Sequence, residues 1–383
     1  MRKICIVTGS RAEWGLQSRL ARLIADDSES VLQIVATNMH LSPEFGLTYK
    51  EIEQNGFTLN KKVEMLLSSD TANATVKSVG LGMIGFADAF EDLQPDLIVI
   101  LGDRYEMLAA AAAALLYKIP IAHLYGGEIT EGAYDDAIRH TLTKLSHLHF
   151  TSTEAYRKRV IQMGEQPDLV FNVGAMGIDN IRHMQLLDRE ELEASISGFK
   201  INRKTLLVTY HPVTMENGTA KEQVIALLKA LEKHKECRII FTMPNSDTDG
   251  RIIIELIKDW CSVNIDRAIW FTSLGVKRYL SALQFVGAVV GNSSSGIVEV
   301  PSFGIPTLNI GDRQKGRLKA VSIIDSQPTF EDIENKLSEI LENSETYRDV
   351  INPYERKDST KEIFRIIKNV KLDNYTPKHF YDL

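Results

Sequence analysis

Four carboxylates fall close together in the first half of the chain, each just beyond or near an apolar run. Asp103 and Arg104 follow the stretch 97–101 (LIVIL), and Glu128 closes the run His123-Leu124-Tyr125-Gly126-Gly127-Glu128. Asp135 and Asp136 then open a helical stretch that carries Arg139 and His140. Carboxylates brought close together push one another's proton affinities apart, so that one holds a proton while its neighbour takes one. That suits acid–base chemistry, although Asp103 and Asp135 are equally suited to capping helices. The paired glycines let backbone approach a ligand closely. His123 has acids nearby, but neither HExxH nor HxH spacing is present, and no metal is expected.

Other groups suit an anion. Thr8-Gly9-Ser10-Arg11-Ala12-Glu13-Trp14 follows the first apolar run, where Gly9 allows a tight turn into a helix N-terminus and Arg11 adds a cation. It is not GxGxxG, so a dinucleotide fingerprint is absent. The run Tyr210-His211-Pro212-Val213-Thr214 places His211 at the end of another apolar stretch. Gly291-Asn292-Ser293-Ser294-Ser295-Gly296 lies between the apolar run 286–290 and a helix. Its N–H groups, with the hydroxyls of Ser293 and Ser294, could cradle a diphosphate, and Glu299 could accept from ribose hydroxyls. A plain serine-rich cap is the other reading. The loop 311–317 (GDRQKGR) supplies three cations in five residues, Arg313 among them.

Positioning these groups requires alternating strands and helices. Apolar runs predict strands at 3–7, 31–37, 95–101, 119–125, 147–151 and 169–173. Helical spacing predicts helices at 14–24, 74–93, 105–117, 135–145 and 154–163. The polar stretch 188–204 reads as a boundary region. A second series predicts strands at 205–210, 237–242, 268–271, 286–290 and 307–310, with helices at 221–233, 251–260, 275–283 and 296–303. Helices at 330–341 and 359–370 close the chain. Continuous apolar strands separated by helices mean parallel sheets covered on both faces. The expected fold is therefore α/β, with two doubly wound Rossmann-like domains and a cleft between them. Ligands in such sheets bind at the carboxyl ends of strands, where the residues above fall.

Composition agrees with two domains: 383 residues, 44% hydrophobic and 25% charged. The net charge of −7, without a basic block, argues against a nucleic-acid partner. Cys5, Cys237 and Cys261 form no CxxC and no even framework, which suits inert thiols in a reducing cytoplasm. The N-terminus lacks the features of a signal peptide, and no apolar run approaches the roughly 20 residues that span a bilayer, so no membrane partner is expected.

The ordered set TGSRAEWG, LGDRYEML, GGEITEGAYDDAIRHTLTKLSHLHFTSTEAYRKRV, YHPVT and GNSSSGIVEVPSFGIPTLNIGDRQKGR resembles the hydrolysing UDP-N-acetylglucosamine 2-epimerases of bacterial sialic-acid and legionaminic-acid synthesis. The resemblance spans nearly the whole chain. It implies a glycosyltransferase-B-like fold with an N-terminal domain over 1–178 that holds the catalytic carboxylates and a UDP-binding domain over 179–358. A C-terminal helix and tail over 359–383 would cross back to the first domain. The implied reaction eliminates UDP from UDP-N-acetylglucosamine, adds water to a 2-acetamidoglucal, and yields N-acetylmannosamine and UDP. Asp103, Glu128 and Asp135 are then acid–base candidates, and His211 sits by the reacting sugar or leaving phosphate. Arg11, Arg104, His123, Arg139, Ser293, Ser294, Glu299 and Arg313 become substrate contacts. The resemblance implies no redox cofactor, no obligatory metal, and a homodimer. Two departures stand out: Tyr125 occupies the place of a catalytic glutamate in the animal enzymes, and the loop before Asp135 is one residue longer. The same chemistry on UDP-2,4-diacetamido-2,4,6-trideoxyglucose, a non-hydrolysing 2-epimerase, and a glycosyltransferase of the same fold are the alternatives.

Overall fold

The segment 4–7 (ICIV) shows why these strands read as unbroken apolar runs. Ile4 and Ile6 pack with Leu20, Ile34 and Val99 in one core, while Cys5 and Val7 pack with Phe86, Ile98 and Met107 in another. A strand buried on both faces has no polar side to offer water. Full burial of each such large apolar side chain is worth roughly 1.5–3 kcal/mol. The structure, a computed structural model, describes residues 1–69, 71–130, 134–213, 218–244, 250–371 and 378–382, without the side chains of Ser344 and Glu345. Thr214 and the loop residues 131–133 singled out in the sequence lie outside the described residues.

The chain divides into two units. The first comprises Met1–Glu128, Asp135–Asn180 and Arg356–Leu383. Its strands are β1 (Arg2–Thr8), β2 (Ser30–Thr37), β3 (Lys61–Val63), β4 (Leu97–Leu101), β5 (Ile121–Leu124), β6 (Leu148–Thr151) and β7 (Val170–Asn172). They pair in parallel in the order β3-β2-β1-β4-β5-β6-β7. The intervening helices are α1 (Arg11–Ala25), α2 (Tyr49–Gln54), α3 (Ala72–Leu93), α4 (Tyr105–Leu116), α5 (Asp135–Leu145) and α6 (Glu154–Gln162), and α7 (Met176–His183) follows β7. Side-chain oxygens of Ser10, Thr71 and Thr153 cap α1, α3 and α6.

The second unit comprises Ile129–Tyr134 and Ile181–Glu355. Here α8 (Arg189–Ser195) precedes β8 (Thr205–Thr209), α9 (Ala220–Lys233), β9 (Arg238–Thr242), α10 (Gly250–Val263) and β10 (Ala268–Phe271). Then come α11 (Gly275–Leu283), β11 (Ala288–Gly291), α12 (Ser294–Val298), β12 (Thr307–Ile310), β13 (Ile323–Ser326) and α13 (Phe330–Glu342). The sheet is parallel, in the order β10-β9-β8-β11-β12-β13. The closing helix α14 (Ser359–Asn369) belongs to the first unit, where Ile363 and Ile367 join the core beside α1.

In each sheet the order reverses between two neighbouring strands, β1 and β4 in the first unit and β8 and β11 in the second. Loops leaving such a pair turn to opposite faces and open a crevice at the strand ends.

Several elements differ from the sequence expectation. The helix expected over 296–303 stops at Val298, and a short 3₁₀ turn, Val300–Phe303, takes over because Pro301 has no N–H to continue the ladder. The polar stretch expected as a boundary contains α8, started by a capping box between Asp188 and Glu191. The short edge strands β3 and β13 carry no long apolar run and escaped prediction. Cys5, Cys237 and Cys261 are unbridged and buried, and burial pushes their thiols up to about 12, 11 and 12. Among the described residues no helix is long and apolar enough to cross a membrane.

Candidate active site

At the carboxyl ends of β4 and β5 the first unit is organised around one cation. Arg139, one turn into α5, has a side chain only 1% exposed. Its guanidinium pairs with Asp103, approaches Asp136 at 3.3 Å, and donates to the Glu128 carbonyl at 3.0 Å. Three segments distant in sequence are thereby held together. The Asp103 and Asp136 side chains keep 24% and 26% of their surface in solvent, so these acids have an open side. Asp136 also lies 3.4 Å from His140, and Asp135 opens α5 half-buried.

Three of the expected site residues have partners within the protein. Arg139 was expected as a substrate contact, but its fork is engaged within the protein, because two carboxylates and a carbonyl compete for it in a dry site. His123 is fully buried. Its Nε2 donates to the Gly102 carbonyl at 2.8 Å and its Nδ1 lies 3.4 Å from the Thr143 hydroxyl. Burial pushes its imidazole down to about 3, so it stays neutral and braces the turn carrying Asp103. Glu128 is 4% exposed, and its carboxylate accepts from the Ser152 hydroxyl at 2.7 Å. It is turned into the unit, whereas Asp103 faces outward in part. Beside it, Tyr125 adopts φ 66°, a left-handed conformation rare for a bulky residue, and its hydroxyl accepts from the Gly177 N–H at 3.4 Å.

The β1 end contributes Arg11, which pairs with Glu51 of α2 at 2.9 Å while both remain partly exposed. Arg104 donates through Nε to Glu106 at 2.8 Å. Glu106 was missed by sequence reasoning, because an acid in the first turn of a helix usually just complements the dipole. Its burial is visible only in three dimensions.

In the second unit Asn292 is the organising residue. Its Oδ1 accepts the His211 N–H at 2.7 Å and its Nδ2 donates to the His211 carbonyl at 2.8 Å, which joins the ends of β8 and β11. Its own carbonyl accepts from Arg313 at 3.2 Å and Gln314 at 2.9 Å. Gly291, at φ 133°, lets the strands close: a Cβ there would stand 1.9 Å from the Thr209 carbonyl oxygen. His211 is buried, and burial first, then Arg313, hold its imidazole well below 6.5, so it is neutral near pH 7. Ser293 begins α12 without a side-chain cap bond, Ser294 is exposed, and Glu299 is half-buried at the helix end. With five residues, α12 adds little dipole, so N–H groups and hydroxyls are what this turn offers an anion. Asn292 and Gln314 stood in quoted motifs but gave no signal of their own.

Two doubly wound parallel sheets, each with polar loops at its switch point, define an α/β protein of the glycosyltransferase-B type. A crystal structure of the UDP-GlcNAc 2-epimerase from Neisseria meningitidis bound to UDP-GlcNAc shares this fold, with a TM-score of 0.82 over 95% of this chain and 99% of that one at 17% identity. The family model for UDP-N-acetylglucosamine 2-epimerase matches residues 22–368. The chain belongs to the UDP-N-acetylglucosamine 2-epimerase family, in its hydrolysing branch. A Campylobacter jejuni relative named GDP/UDP-N,N'-diacetylbacillosamine 2-epimerase (hydrolyzing) is 46% identical, covering 100% of this chain and 99% of its own. An Escherichia coli relative named polysialic acid biosynthesis protein P7 is 36% identical over 100% of this chain and 98% of its own.

Proposed function

We propose that this enzyme hydrolyses and epimerises UDP-2,4-diacetamido-2,4,6-trideoxyglucose, releasing UDP and the free 2-epimeric sugar. The full-length similarity to the diacetylbacillosamine enzyme carries this reading. UDP-N-acetylglucosamine, giving N-acetylmannosamine, is the second reading, favoured by the family model and the polysialic-acid relative.

The chemistry requires that a base remove the C2 proton as the C1–O bond to UDP breaks, which forms the 2-acetamidoglucal. Water then adds at C1 and an acid delivers a proton to the other face of C2. Asp103 and Asp135 are assigned to these proton transfers. Asp103 is held in place by Arg139 and partly open to solvent, and Asp135 stands half-buried at the start of the helix that carries Arg139. Positioned proton transfer contributes about 10²–10⁴-fold. Glu128 stays a candidate only if its bond to Ser152 opens. Arg11, Arg104 and Arg313, with Ser293, Ser294 and Glu299, are assigned to the diphosphate and ribose, where cations stabilise the departing charge. His211, being neutral, serves as a hydrogen-bond partner of the leaving phosphate.

The test is proton NMR in D₂O with each UDP-sugar, and with the GDP analogue of the diacetamido sugar. UDP plus a free sugar deuterated at C2 is expected, with the diacetamido substrate turned over faster. Faster turnover of UDP-N-acetylglucosamine would favour the second reading, and UDP-N-acetylmannosamine as sole product would exclude hydrolysis. Asp103→Asn is expected to lose at least about 10²-fold in kcat. Wild-type rates in both Asp103→Asn and Asp135→Asn would overturn the assignment.

A further inference from the structure

Two carboxylates, one guanidinium and one backbone N–H meet at the switch point of the first sheet. Glu13 Oε2, on α1, accepts from the Gly9 N–H at 2.6 Å. Glu106, on α4, comes so close that a Cβ on Gly9 would stand 2.5 Å from its Oε1, the same oxygen that accepts from Arg104 Nε at 2.8 Å. Both acids are buried. The remaining oxygens, Glu13 Oε1 and Glu106 Oε2, are buried without a hydrogen-bond partner.

Charge counting makes this arrangement expensive if both acids are ionised. One guanidinium neutralises one carboxylate, which leaves a second negative charge and two unsatisfied oxygens out of water. A single proton answers both problems, because it removes the extra charge and gives one of the orphaned oxygens a hydrogen to donate. The surroundings agree. Burial, and next the Glu106 charge, push Glu13 up to about 8 against the pull of Arg104 and the Gly9 N–H, with Asp103 adding a small upward push. From the segment after β2, His40 gives its backbone N–H to the Gly9 carbonyl at 3.2 Å, and burial holds its imidazole down at about 4, so it brings no charge. Arg11, two residues along the chain from Gly9, is paired with Glu51.

We propose that Glu13 holds a proton beside Glu106 and that the two act as a positioning pair, fixing Arg104, and with it the Asp103 turn, against the Gly9 turn at the end of β1. This deepens the reading of the chain as a hydrolysing UDP-sugar epimerase and rests on it for its kinetic consequence. Both acids are buried, and they act through Arg104 and the Gly9 turn. The pair sets where the β4 loop presents its cation and its base, and losing that proton at alkaline pH sets two buried carboxylates against each other and loosens that loop. Activity therefore falls as pH rises through about 8.

Glu13→Gln mimics the protonated pair permanently: its amide oxygen keeps the Gly9 N–H and its NH₂ donates to Glu106. Infrared spectroscopy of the wild-type protein at pH 7 should show a buried carboxylic-acid C=O band that titrates away near pH 8 and is missing from Glu13→Gln. In steady-state kinetics with the UDP-sugar that turns over, Glu13→Ala should lower kcat about 10²-fold with a smaller change in KM, as misplacement of a site loop does. Glu13→Gln should recover most of that loss and abolish the alkaline decline. The infrared band needs no substrate, so it is read even if every UDP-sugar fails to turn over, an outcome that would sink the proposed function alone. Where Glu13→Ala does not fold, Glu13→Gln and the band decide. Absence of a band that distinguishes wild type from Glu13→Gln, or an unchanged alkaline limb in Glu13→Gln, overturns the proton on Glu13.

Discussion

Replacing Arg139 with methionine tests whether one buried cation organises the first unit's acids. The substitution keeps length and apolar bulk but deletes the pair to Asp103, the contact to Asp136 at 3.3 Å and the bond to the Glu128 carbonyl at 3.0 Å. Charge-assisted hydrogen bonds are worth about 1.5–3 kcal/mol each, and stripping one partner from a buried pair costs about 3–5 kcal/mol. Both acids retain about a quarter of their surface in water, so solvent takes over part of their charge and the lower end applies. A net loss of about 3 kcal/mol is expected, which lowers the urea midpoint by about 1 M. Turnover should fall more than stability explains, by about 10²-fold in kcat, because Asp103 is no longer aimed. Urea unfolding followed by circular dichroism, with steady-state kinetics on the same preparation, measures both. Arg139→Lys should fall between, since an ammonium keeps the charge but not the planar fork. A methionine variant with wild-type midpoint and wild-type kcat would refute the argument that Arg139 holds these three segments.

Two further outcomes concern other parts of the molecule. Asn292→Ala leaves the His211 N–H and carbonyl without their buried partner, so a loss of about 2–4 kcal/mol is expected, with UDP binding by calorimetry weakened at least about tenfold. Unchanged UDP affinity would remove Asn292 from the nucleotide site. Acid stability should report on Glu165, whose carboxyl burial pushes up but whose bonds and charges from His149, Lys144 and Lys378 hold at about 2, against 4.5 for the ordinary group. A depressed carboxyl stabilises the fold above its unfolded value and loses that contribution as pH falls from about 4.5 toward 2. Roughly 3 kcal/mol is at stake at most. Lys378→Gln should shrink it, since Lys378 reaches Glu165 at 2.6 Å and also donates to the Lys144 carbonyl at 2.8 Å. An identical acid-unfolding midpoint in that variant would count against this account.

The core strands and most helices were legible because a strand buried on both faces must be apolar throughout and a covering helix must repeat its apolar face. The runs 97–101 and 205–209 needed nothing else. The candidate site was legible by position: Asp103, His211 and Ser293 stand just beyond strand ends, where a doubly wound sheet opens. What the chain alone left open was the use of each polar group, because that depends on partners far away in sequence. Arg139 looked like a substrate contact until Asp103, 36 residues earlier, was found beside it. His123 looked like part of a ligand pocket until burial made it a neutral brace. Glu13 stood in the turn before an expected helix and Glu106 in the first turn of another, and neither drew a role. Composition and pattern determine which segments leave water. Only tertiary packing decides which charges leave water with them, and so which must be paired, protonated or left facing solvent.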